Sequence, residues 1–195
     1  MKIVRTAQIA LSAIGIGALV YCAAVLIEAR FYQAKAAREF TQQLRAGRKG
    51  AAVEPRLSEP RNGNLIGRIE IPRRGLSVMF VEGVDAGDLR RAAGHIPGTA
   101  LPGEAGNIGI AGHRDTFFRA LHRVRLGDTI TLETRAGECR YRVVSLHVVK
   151  PDDIGVLAAT RRDTLTLVTC FPFHFIGAAP ERFVVRAERL ADASN

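Results

Sequence analysis

The chain of 195 residues has no tryptophan, two methionines and three cysteines. Three cysteines are too few to staple a small disulfide scaffold. No segment repeats at the period of a solenoid or a propeller. Strands do not alternate with long helices, and no phosphate-cradling glycine motif appears, which disfavours a nucleotide enzyme. Paired metal-ligand spacings such as CxxC or HExxH are missing, since the cysteines stand at 22, 139 and 170. No metal and no cofactor are expected.

Apolar residues and positive charge are abundant, at 47% and a formal +9. That apolar content is enough for a folded core. The charge is unevenly spread. Residues 1–29 carry +1, residues 30–62 carry +5 and residues 63–195 carry +3. The excess lies outside the C-terminal part, and no nucleic-acid-binding signature accompanies it, so no nucleic-acid partner is expected.

Thr6 to Ile27 runs for 22 residues without a charge. At about 1.5 Å per residue that length crosses a hydrocarbon core of roughly 30 Å. A cleaved signal peptide would have a shorter apolar region. A lipoprotein signal ending at Cys22 would need a small residue where bulky Tyr21 stands. Residues 1–29 are therefore expected to be an uncleaved membrane anchor. Lys2 and Arg5 on one side balance Arg30, Lys35 and Arg38 on the other, so charge does not set the orientation. Residues 30–62 read as stalk and linker. Residues 30–49 predict a helix with only a thin apolar stripe of Phe31, Phe40 and Leu44, set either against anionic lipid head groups or in solvent. Residues 50–62, with two prolines, predict a flexible linker.

Residues 63–190 read as one domain of short strands, with 191–195 as a tail. The expected strands are 65–71, 76–81, 107–111, 129–133, 139–149, 165–170 and 183–187. Helical turns are expected at 85–92, 117–121 and 152–158. Seven or eight strands at this spacing predict a mainly β fold closed into a barrel.

Cys170 ends the strand TLTLVTC before Phe171-Pro172. Proline cannot donate to the ladder, so the strand must leave the sheet there. A thiol at that point is held rigidly yet open on one side, as a nucleophile requires. A buried structural cysteine is an equal alternative by position alone. His113, in AGHRD, could exchange the proton. His95 and His122, in a loop and a helical turn, and His147, mid-strand, compete with it, as does His174. Arg182 begins the last strand and could bind a carbonyl or an oxyanion. A Cys139–Cys170 disulfide would abolish the nucleophile.

Two stretches, NIGIAGHRDTFF at 107–118 and TLTLVTCFPFHFIGAAPERFVV at 164–185, carry a family resemblance. The chain resembles the sortases, membrane-anchored cysteine transpeptidases of bacterial surfaces, and its CFPFHFIGxAPxRFxV version is most similar to the class D group. The resemblance implies a sortase-type β-barrel of about eight strands with short helices, behind an N-terminal transmembrane helix. It implies a single-pass cell-membrane protein with the catalytic domain extracytoplasmic. Cys170 would attack an LPxTG-like sorting signal after its threonine. His113 would protonate the leaving amine, and Arg182 would hold the peptide and oxyanion, with Thr169 adding a substrate contact. The partners implied are secreted proteins bearing the signal and an amine of a peptidoglycan precursor.

Some sortases bind calcium, but Glu104, Asp152 and Asp153 are too scattered for that. Asp115 is expected to cap the following turn, and Phe171, Phe173 and Phe175 to wall the site or fill the core. An Asp-Pro-aromatic lid motif is missing from 50–64, which predicts an open site. A cysteine hydrolase on the same scaffold, or an inactive surface-binding barrel, remains as an alternative.

Overall fold

The computed structural model describes residues 2–49, 61–175 and 177–191. The expected linker therefore lies largely outside the described residues, as does most of the tail. Helix α1 spans Lys2–Lys49 without a break. Eight strands follow: β1 (Leu65–Ile71), β2 (Leu76–Glu82), β3 (Ala93–His95), β4 (Asn107–Ala111), β5 (Thr129–Thr134), β6 (Gly137–Val149), β7 (Thr164–Phe171) and β8 (Glu181–Arg189). They close a barrel in the order β1-β2-β3-β4-β7-β8-β6-β5. Most pairs are antiparallel, while β2–β3 and β4–β7 are parallel.

Period-2 alternation builds the interior. Ile69 and Ile71 of β1, Ile108 and Ile110 of β4, Leu165 and Leu167 of β7, and Val185 and Ala187 of β8 point into one buried cluster. Phe80 and Phe118 fill its middle, neither exposed. Tyr141 lies in the same core, and burial pushes its phenol up to about 12.

Strand β3 corrects the sequence reading, which has no strand there and sets His95 in a loop. Ala93-Gly94-His95 has no β-branched residue and no alternation to announce it. It pairs with both β2 and β4 because Gly94 lets the chains close in. A Cβ there would stand 2.1 Å from the Gly83 carbonyl oxygen. The helical turns settle as α2 (Ala86–Arg91) and two 3₁₀ turns, Arg119–Arg123 and Ile154–Leu157.

Helix α1 has two different halves. From Ile3 to Ala24 its side chains are exposed, including Ile9, Leu11, Ile14, Ile16 and Leu19. An apolar surface of that size without a protein partner fits a single membrane span. The second half continues as the predicted helix, but it packs on the barrel where the sequence reading set it against lipid head groups or in solvent. Ala36 and Phe40 are buried with Met79 of β2, beside Tyr32, Leu44 and Leu65. Of the expected stripe, only Phe31 stays out in solvent, at 73% exposed. The Gln33 amide donates to the Met79 and Arg91 carbonyls at 3.3 and 2.9 Å and accepts the Met79 N–H at 2.8 Å. It thus satisfies strand groups that β3 is too short to reach. The Arg91 guanidinium lies over the Tyr32 ring at 5.1 Å.

Candidate active site

Cys170, Arg182 and His113 come together at one end of the barrel, on its outer face. In β7, Leu165 and Leu167 point inward, and Thr169 follows their parity, so Cys170 points outward. In β8, Val185 and Ala187 point inward, so Arg182 also points outward. Register makes Cys170 and Arg182 direct cross-strand partners. Their Cβ atoms are then about 5 Å apart. Val149 of β6 stands next in the row, opposite Arg182.

His113 arrives from the neighbouring strand. The β4–β7 ladder continues past Ala111, since the Gly112 N–H donates to the Val168 carbonyl at 3.1 Å. The next residue, His113, is exposed. Its carbonyl accepts the Phe118 N–H at 3.0 Å, closing a tight turn. Gly112 is needed there because a Cβ would stand 2.8 Å from the Phe118 ring. Thr169, expected to touch substrate, is 2% exposed and donates its hydroxyl to the Gly112 carbonyl at 2.7 Å. That bond ties the strand carrying the cysteine to the turn carrying the histidine.

Cys170 is half-buried and not in a disulfide, so the Cys139–Cys170 alternative is not formed. Among the described residues no hydrogen bond joins Cys170 to the His113 ring. The Arg182 Nη1 donates to the Ala179 and Glu181 carbonyls at 3.2 and 2.9 Å. This fixes the guanidinium while its remaining N–H groups stay available beside the thiol.

A further residue, Arg114, was not singled out by the sequence reading. It is 7% exposed although it follows an exposed histidine. Its Nη1 donates to the Pro172 carbonyl at 2.9 Å, and its Nη2 to those of Phe175 and Gly177. Three carbonyls of the β7–β8 loop thus converge on one guanidinium fork from the histidine turn. Only its place in GHRD hinted at a role, because its partners are backbone atoms far along the chain.

The other histidines are placed elsewhere. His95 is buried. Its Nδ1 is 2.8 Å from the Glu82 carboxylate, and its Nε2 is 3.0 Å from both the Ala100 carbonyl and the Thr99 hydroxyl. His147 is exposed on β6, and His174 is exposed in the β7–β8 loop. His122 faces the Phe173 ring at 6.0 Å. Phe171, Phe173 and Phe183 pack together at centroid distances of 5.3 to 6.2 Å, whereas Phe175 is 43% exposed. Asp115 does not cap the next turn, whose N-cap position is Phe118 without a side-chain bond.

The 3₁₀ turn Ile154–Leu157 crosses the outer face beside this row. The Asn107 amide donates to the Val156 and Ala158 carbonyls, and Arg186 to that of Val156. A thiol, an exposed imidazole and a fixed guanidinium on one outer face can perform acyl transfer, with the histidine moving the proton.

Comparison with known proteins points the same way. A family profile described as "Sortase domain" matches residues 69–190. Sortase D of Bacillus subtilis (strain 168) is 35% identical over 133 residues, covering 68% of this chain and 67% of that protein. Sortase SrtE1 of Streptomyces coelicolor is 31% identical over 137 residues, 60% of this chain and 38% of that one. The solved structure of a Clostridium perfringens sortase D5 transpeptidase superposes with a TM-score of 0.70 at 29% identity, covering 82% of this chain and 99% of that one.

Proposed function

The chain belongs to the sortase family, and on that premise we propose a membrane-anchored transpeptidase that cuts an LPxTG-like signal after its threonine. Sortases are cysteine transpeptidases. In this reading residues 1–29 are the anchor, with the barrel of residues 63–190 extracytoplasmic. The Cys170 thiolate adds to the threonine carbonyl carbon. An Arg182 N–H donates to the oxygen as it gains charge. The C–N bond breaks, and the departing amine takes a proton from the His113 imidazolium. That leaves a thioester on Cys170 and a neutral imidazole. An incoming amine, here that of a peptidoglycan precursor, attacks the thioester and gives its proton to His113. The C–S bond breaks and the thiolate is restored, so atoms and charge balance. Thr169 and Gly112 keep the two strands in register for this exchange. Arg114 holds the loop that follows the nucleophile.

The observation that carries the reading is the cross-strand pairing of Cys170 with Arg182, with the His113 turn hydrogen-bonded to the same strand. The test uses the full chain in detergent with quenched fluorescent LPxTG-type peptides, with and without an added amine, beside Cys170→Ala. Cleavage that needs Cys170 and yields a ligated product is expected. Cleavage without ligation at any amine concentration would replace transfer with hydrolysis. An intact peptide panel, with Cys170 inert to an alkylating reagent, would overturn the catalytic reading.

A further inference from the structure

The pole of the barrel nearest the uncharged span is strongly basic. Gln33 lies six residues beyond Ile27, about 9 Å along the helix. It is pinned to Met79, and it also lines a cleft of about 600 Å³ with Gly75–Val78 of the β1–β2 hairpin and with Thr116, Arg119, His122 and Arg123. Further along α1, Phe40 and Leu44 join the cluster that holds Leu65, the partner of Val81 at the far end of β2. The helix therefore runs from the hairpin tip toward the other end of β2, and the tip faces back toward the span.

Arg73, Arg119, His122, Arg123 and Arg125 are all exposed at this pole. The nearby acid Asp128 is already taken by the Arg74 guanidinium, at 2.6 and 2.9 Å. The Arg123 guanidinium donates to the Arg74 carbonyl at 3.1 Å, which joins the hairpin tip to the turn at 119–123. Leu126 projects beside them, 64% exposed. Apolar Leu126 among arginines, at a fixed height above a membrane helix, matches an anionic interface chemically.

We propose that this pole docks onto the anionic phospholipid head groups of the membrane that α1 crosses. The arginines contact phosphates and Leu126 enters the interfacial layer. The proposal rests on the reading of Thr6–Ile27 as a membrane span. The pole adjoins the Cys170 end of the barrel, where His122 faces Phe173, but it includes neither Cys170 nor Arg182.

The test reconstitutes the full chain into nanodiscs of phosphatidylcholine alone or with phosphatidylglycerol. Phenylglyoxal then labels arginines, which are read out residue by residue by mass spectrometry. In anionic discs Arg119, Arg123 and Arg125 are expected to react about tenfold more slowly than in zwitterionic discs. Arg161, in the loop before β7, should not change. Leu126→Glu should cancel much of the protection, and high salt should remove it. Equal labelling in the two discs overturns the proposal and leaves the span intact. Protection by inorganic phosphate in zwitterionic discs, equal to that in anionic discs, overturns it in favour of a free-anion site. Failure to incorporate into either disc overturns the span, and this proposal with it.

Discussion

His95 and His113 stand at opposite ends of the β3–β4 pair, and their surroundings differ in kind. His95 pairs with Ile110 in the ladder, and its two ring nitrogens are engaged by Glu82, Thr99 and Ala100. His113 follows β4 into solvent, and among the described residues neither of its ring nitrogens has a partner. A histidine whose hydrogen bonds are filled stabilises a fold. One that is held by its backbone and free at its ring can exchange protons with a substrate.

The sharpest way to break this contrast is to remove each ring. His113→Ala should lower kcat/KM for peptide cleavage by about 10³-fold, the scale of a lost general acid–base group. Its thermal midpoint should stay near that of the parent chain. His95→Ala should do the reverse. It leaves the Glu82 carboxylate buried without its partner, which costs about 3 kcal/mol in a denaturant titration, while the folded fraction keeps its kcat. Equal effects of the two changes on activity would remove the distinction.

A smaller effect sharpens the claim that backbone holds His113. Gly112→Ala forces a methyl group toward the Phe118 ring. We expect a loss of about 2 kcal/mol with a fall in kcat, because the turn must shift. Arg114→Lys keeps the charge but loses the fork that gathers three carbonyls. A rise in KM of about tenfold with kcat less affected would mark it as a residue that positions the β7–β8 loop. An unchanged KM would leave it a packing residue only.

The smallest effect concerns the Arg74–Asp128 pair, which is committed in the manner of His95. The Arg74 guanidinium holds the Asp128 carboxyl below the usual carboxylate range. The stability this contributes is complete above the ordinary value of about 4 and is lost as pH falls through the lowered one. Asp128→Asn should therefore cost about 1 kcal/mol at pH 6 and progressively less toward pH 3, measured by thermal unfolding.

Much of this was legible in the sequence, for identifiable reasons. Leu65–Ile71 alternates and ends at a proline, and the observed strand has those bounds. The stretches around His113 and Cys170 were visible as motifs, and the structure brings them side by side. Strand β3 was not legible, because three small or polar residues gain their pairing from a close approach to Gly83. Arg114 and Thr169 were legible as residues but not as contacts, since each bonds to main-chain atoms 57 or more residues away. The docking of α1 was hidden for the same reason. Gln33 looks like any polar helix residue until Met79 stands opposite.

That docking has a mechanical consequence. A barrel at the tip of a free mast could sweep a wide hemisphere and meet substrates at any height. Here helix α1 rises along the barrel flank, so the barrel rides alongside its own root. With Gln33 as a rivet, swivel and tilt are restrained, and with the proposed membrane anchor encounter would become a search in two dimensions by lateral diffusion. On the proposed function, a sorting signal held close to the bilayer would need to expose only a short extended stretch to be within reach.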